Sequence, residues 1–376
     1  MATEIVTPEL RTPAVSQRST PQATTAGRLM SLDAYRGFIM LVLVSEGFGL
    51  AALKAYPHWS WLAAQFDHSA WTGVTFWDLI QPAFTFMVGV AMPFAFASRV
   101  AKGATSGALF RHVLWRALVL IVLSNVLSNF NSGRAHPKLQ FINVLCQIAF
   151  GYLLCFLILQ LRFSLQVAAG IAMLVGYWGL FAMFPGPDGA FSKTGNIGAV
   201  IDLKVLGYNY PGFYTTINFI GNAVTILFGC WAGTLLRTNK SHSQKMKILG
   251  ASALAGFVLG LALEPFNPMV KRLWTPSFAL FSAGWVFLML LAFYWLIEVK
   301  QIRGWEFPMV VMGTNSIFIY SFSQVLHGWL DRGLKVFTGN FSFLGAAGSI
   351  PQNLLALSVM WYLCYWLYQR KIFLKI

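Results

Sequence analysis

Long apolar runs alternate with short polar breaks along this chain. Ten of the runs approach the roughly 20 residues a helix needs to cross about 30 Å of hydrocarbon. They fall near 36–54, 74–97, 109–129, 139–160, 164–184, 216–236, 246–263, 276–297, 307–328 and 350–369. A transmembrane barrel would instead show alternating strands of about ten residues, and no stretch alternates in that way. The pattern predicts an all-α fold, a polytopic membrane helix bundle of about ten transmembrane helices. The longest break, about 185–215, is rich in Gly and Pro and too short to fold alone. Residues 1–28, rich in Thr, Pro, Ala and Ser, have no apolar core, so they read as a disordered cytoplasmic tail rather than a cleaved signal peptide. Residues 29–376 form the remaining unit, a single transmembrane domain. No internal repeat of the kind that marks many secondary transporters is evident.

Composition strengthens this picture. The sequence is 57% hydrophobic and only 10% charged, whereas a soluble domain needs about a quarter of its residues charged to cover its surface. Lipid is the main solvent. A formal charge of +15 would suggest nucleic acid in a soluble protein, but here Lys and Arg gather at span ends. With the N-terminus inside, 18 of the 27 basic residues lie on the cytoplasmic side and 9 outside, the sense of the positive-inside rule. Both termini are therefore expected in the cytoplasm, with the protein in the inner (cytoplasmic) membrane and the 55–73 and 185–215 loops outside. Topology and anionic lipid account for the charge, so no nucleic-acid partner is expected. Cys146, Cys155, Cys230 and Cys364 all lie in apolar spans without a close pair, which supports neither a disulfide framework nor a metal site.

Ionisable residues inside spans are costly and point to function. Asp33 and Arg36, three residues apart, share a face at the start of the first span. They read either as an ion-paired helix start or as an anion site, since Arg beside a helix N-terminus suits phosphate. Glu46 follows about 15 Å deeper by helical rise, where a carboxylate must be paired, protonated or facing water. His68 precedes the second span, and Asp78 lies within it. Imidazole titrates near neutrality and serves as base or nucleophile, and a carboxylate can orient it. Ten helical residues would hold the two about 15 Å apart, unless the break at Gly73 folds the loop back. Arg111 and Arg116 open the third span and read as snorkelling side chains or as phosphate ligands. Asn218, Asn222 and Asn315 read as helix-to-helix hydrogen-bonding amides. There is no HExxH, phosphate-binding loop or dinucleotide fingerprint.

These residues resemble the heparan-alpha-glucosaminide N-acetyltransferase family. The resemblance starts at SLDAYRGF (31–38), runs through HSAWTGVTFWDLIQPAFTFMVGVAMP (68–93), and resumes at LWRALVL, VLCQIAFGY, TTINFIGNAVTILFGCWAG, LWTPSF and FPMVVMGTNSIFIY. It implies a transmembrane acyltransferase that moves acetyl groups from cytosolic acetyl-CoA, a co-substrate, to an amino sugar or glycan on the far side. His68 matches the family's catalytic histidine and Asp78 an acidic residue grouped with it; Glu46 stands near a position where the family carries Asn. Arg36, Arg111 and Arg116 are the expected ligands of the CoA phosphates, and a homodimer is a further expectation. The chain departs from the pattern at Gln81, which replaces an aromatic residue, at Gln147, which replaces Arg, and at Ser323 and Gln324, which replace a His-Glu pair. The competing expectations are a transporter or flippase with a Glu46/Asp78 relay, and a non-catalytic family member.

Overall fold

The computed structural model describes residues 29–130, 132 and 136–374. The expected tail at 1–28 lies outside them. Among the described residues the fold is all-helical. Helix α1 (Met30–Val44) leads to a 3-10 segment, Gly47–Ala55, and a short helix α2 (Ser60–Gln65). Then come α3 (Ile80–Ala101), entered through a 3-10 turn at Trp77–Leu79, α4 (Ser106–Phe130), α5 (Val144–Ile158), α6 (Phe163–Met183) and α7 (Ile197–Leu206). The C-terminal half comprises α8 (Phe219–Arg237), α9 (His242–Leu263), α10 (Pro276–Tyr294), α11 (Phe307–Thr314), α12 (Ser316–Thr338) and α13 (Ser349–Gln369).

Local chemistry sets these ends. Asn143 caps α5 by accepting from the Leu145 N–H at 3.0 Å. Ser241 and Gln244 exchange side-chain and backbone bonds in a capping box at α9, satisfying two donors the first turn would leave unpaired. Pro276 begins α10, where its missing N–H costs nothing. The first span breaks at Ser45, whose Oγ accepts from the Phe48 N–H at 3.1 Å. The next four residues, Glu46, Gly47, Phe48 and Gly49, all have positive φ, a run that cannot continue a right-handed helix.

Among the described residues seven helices are long and apolar enough to cross a membrane, or eight if the bent pair Met30–Val44 and Gly47–Ala55 is one span. The expectation of about ten exceeds this for local reasons. The first run is bent by 41°, the α5 run is only 15 residues long, and α12 and α13 fall within one continuous helical stretch. The chain is an integral membrane protein, and its surface agrees. Leu114, Trp115, Leu118, Val122 and Val126 on α4 and Leu254, Val258 and Leu261 on α9 stand exposed, which water would penalise and lipid does not.

The centre is built by close backbone approach. A Cβ on Gly89 of α3 would strike the Ile226 carbonyl of α8, and one on Gly229 would strike the Phe86 carbonyl. Such small-residue contacts substitute for the hydrophobic drive that lipid removes. The α3–α8 pair, with α1 and α10 beside it, is the frame against which the polar loops are fixed.

Candidate active site

The loop before α3 folds back on itself. Gly73, with φ +95°, donates its N–H to the Met269 carbonyl at 2.9 Å, tying this loop to the one between α9 and α10. The turn that follows brings Asp78 under His68. Their Oδ1 and Nδ1 lie 2.7 Å apart, far closer than helical spacing would permit. Asp78 is 1% exposed, and its other oxygen accepts from the Ser69 N–H (3.1 Å), the Thr75 N–H (3.3 Å) and the Thr75 hydroxyl (3.1 Å). A carboxylate only accepts, so in the neutral ring the Nδ1 proton belongs to the His68–Asp78 bond, which leaves the lone pair on Nε2.

A third group joins them that the sequence reading passed over. Lys271 Nζ lies 3.3 Å from Asp78 Oδ1 and 3.2 Å from His68 Nδ1, and the residue is 5% exposed. Burial pushes this ammonium down to about 8, with Asp78 opposing the shift. Its loop is held rigid: the Thr275 hydroxyl donates to the Pro268 carbonyl and accepts from the Val270 N–H, and Asn267 accepts from Ser277. Arg272 donates to the Ala70 carbonyl at 2.7 Å, closing the two loops together. In sequence Lys271 looked like any basic residue at a span end. Its one signal was its place two residues before LWTPSF.

His68 and Lys271 line a cavity of about 420 Å³ with Trp77, Gln81, Asn143 and Tyr320. Below it, toward the end of the bundle where α1 begins, lies a second cavity of about 250 Å³. Arg36 and Arg116 line that one, and Phe84 borders both. Arg36 is 3.7 Å from Asp33. Arg116 packs over the Tyr152 ring at 4.7 Å and donates to its hydroxyl, while its buried Nε has no hydrogen-bond partner. Arg111 is exposed on the outer face of α4 and lines neither cavity.

Glu46 goes elsewhere. The break in the first span turns it outward with its side chain 64% exposed, 3.3 Å from His327 Nδ1, and it does not line the His68 cavity. The structure therefore brings His68 and Asp78 together and Arg36 and Arg116 together, and it separates Glu46 and Arg111 from both groups. Asn218 connects to the cavity by a chain of amides, with Gln147 donating to its Oδ1 at 2.7 Å, and Asn315 pins the C-terminal segment through Ile372 and Leu374.

No family model matches the chain. The human heparan-alpha-glucosaminide N-acetyltransferase is 25% identical over 415 aligned residues, covering 93% of this chain and 60% of that protein. The mouse enzyme of the same name is 24% identical, covering 94% of this chain and 61% of its own length. The chain is a distant relative of the heparan-alpha-glucosaminide N-acetyltransferases. It spans about three fifths of the length of these curated relatives. The aligned part of the chain includes both loops that build the His68–Asp78–Lys271 cluster, since the match extends over nearly all of it.

Proposed function

We propose that the chain is a membrane-bound acetyltransferase that takes the acetyl group of acetyl-CoA and delivers it to a saccharide acceptor across the bilayer. The observation that carries this reading is the His68–Asp78–Lys271 cluster, set in one cavity directly above another that holds two arginines. Names of the relatives support the reaction class. Arg36 and Arg116 bind the CoA phosphates from the cytoplasmic side through charge-assisted bonds, and the acetyl end reaches past Phe84 toward His68. His68 Nε2 serves as general base for the acceptor, while Asp78 holds the ring and steadies its cation. Lys271 offsets the Asp78 charge, so that the ring is not kept protonated by an uncompensated carboxylate. Glu46 faces His327 and does not line the His68 cavity, which favours this reading over a Glu46/Asp78 relay.

The test is purified protein in nanodiscs with labelled acetyl-CoA and an envelope-glycan fraction as acceptor. Label transferred by wild type and lost in His68→Ala supports the reading. CoA binding without thioester cleavage under any acceptor would overturn it.

A further inference from the structure

Three side-chain amides run from the His68 cavity into the protein. Gln81 Nε2 donates to Gln147 Oε1 at 2.5 Å, Gln147 Nε2 to Asn218 Oδ1 at 2.7 Å, and Asn218 Nδ2 to the Arg272 carbonyl at 3.1 Å. A main-chain carbonyl only accepts, so the last link fixes the direction of every amide before it. Gln81 is left with its carbonyl oxygen and its second N–H at the cavity it lines. Apart from His68 and Lys271, the other polar groups around that space are of the same neutral kind: the Asn143, Gln140 and Gln324 amides and the Ser128, Tyr214 and Tyr320 hydroxyls. Trp77 supplies a flat apolar wall.

Charge in the cavity runs the opposite way to what an ammonium group needs. None of the described residues lining it is Asp or Glu. The carboxylate behind His68 is buried, and its two oxygens are occupied by His68, Lys271, Ser69 and Thr75. Lys271 itself is a cation at the cavity wall. An ammonium entering here would lose its water, meet a like charge and find no counter-ion, which is the costly arrangement for a buried charge. A hydroxyl meets none of these costs. It can donate to His68 Nε2 and accept from the Gln81 N–H.

We infer that the group acetylated is a hydroxyl of an uncharged, hydroxyl-rich glycan, so that the product is an ester rather than an amide. This rests on the acetyltransferase reading above and names its acceptor class. In the reaction the hydroxyl oxygen forms a bond to the thioester carbonyl carbon and its proton passes to His68 Nε2. The carbon–sulfur bond then breaks, and the thiolate takes the proton back from the imidazolium. Acetyl ester and free CoA are the products, with no other reactant required.

The experiment uses the full chain in nanodiscs, acetyl-CoA labelled in the acetyl group, and an acceptor mixture of glucose and glucosamine tetramers with the envelope-glycan fraction. Transferred label is then treated with mild alkali, which releases esters and leaves amides. The expected result is that at least nine tenths of the label is released, and that Gln81→Glu, which puts a carboxylate into the cavity, shifts the amide share upward by about tenfold. Alkali-stable label on glucosamine in the wild type would overturn the inference while leaving acetyl transfer intact. No transferred label at all would overturn the acetyltransferase reading and this inference with it. Should Gln81→Glu not fold, Gln324→Glu, at another residue lining the same cavity, gives the second arm, and an unchanged ester-to-amide ratio in a folded variant counts against the assignment.

Discussion

Asp78 and Glu46 begin alike in the sequence: each is a lone carboxylate in an apolar run, about ten residues from a partner of chemical interest. The structure treats them in opposite ways. Asp78 sits in a turn that closes over it, with His68, Lys271, Ser69 and Thr75 all directed at its oxygens. Glu46 sits at a left-handed break, largely exposed and facing one histidine. What separates them is backbone path. A carboxylate becomes chemically useful where loops supply enough donors to hold its charge under a base, and the end of α1 supplies one.

The comparison can be broken most forcefully at the ring Asp78 serves. His68→Ala should lower acetyl transfer by about 10²–10⁴-fold, the range for losing a general base, with little change in thermal stability because the His68 side chain is 41% exposed. Acetyl transfer near the wild-type rate would remove His68 from the mechanism. Asp78→Asn should also cost activity, and beyond that it leaves Lys271 as a buried cation without its partner. Removing one member of such a pair costs about 3–5 kcal/mol, to be read from denaturation in detergent. The double variant Asp78→Asn with Lys271→Met should regain most of that stability and none of the activity.

Smaller effects sharpen the picture. Arg36→Ala should weaken acetyl-CoA binding by about 1.5–3 kcal/mol, the worth of a charge-assisted bond, with folding affected less; isothermal titration separates the two. Lys271→Met should move the acidic limb of the pH–rate profile to higher pH by about 1 unit or more, because the uncompensated Asp78 charge then favours the protonated ring. In the wild type Lys271 loses its proton near pH 8, so the two profiles should converge above that pH. Glu46→Gln should leave transfer within about twofold, because the residue is largely exposed and does not line the His68 cavity. A loss as large as that of His68→Ala would put the end of α1 back into the site.

Much of this was legible in the sequence. The apolar runs gave the helical segments, since a 3.6-residue period in lipid leaves few other choices. HSAWTGVTFWD marked the right loop, but spacing could not give the His68–Asp78 contact, because that loop is anchored through Gly73 on Met269, 196 residues away. Lys271 went unread for a related reason: basic residues at span ends are so well explained by topology that a buried one does not stand out. The break after Ser45 was written in EGFG, where two glycines flank Phe48, yet it lay inside an apolar run and was absorbed into a continuous helix. Arg111 and Arg116 looked equivalent. Five residues on a helix of 3.6 per turn put them on different faces, and only Arg116 turns inward.

Phe84 stacks near Tyr320, with ring centroids 6.4 Å apart, and it is the side chain the two cavities share. A protein with hollows at both ends faces an electrical problem as well as a chemical one. Any continuous file of water between them would let protons run down the membrane potential, worth about 2.3 kcal/mol per charge at 100 mV. The Phe84 and Tyr320 rings stand between the two cavities, and their apolar surface would interrupt such a file.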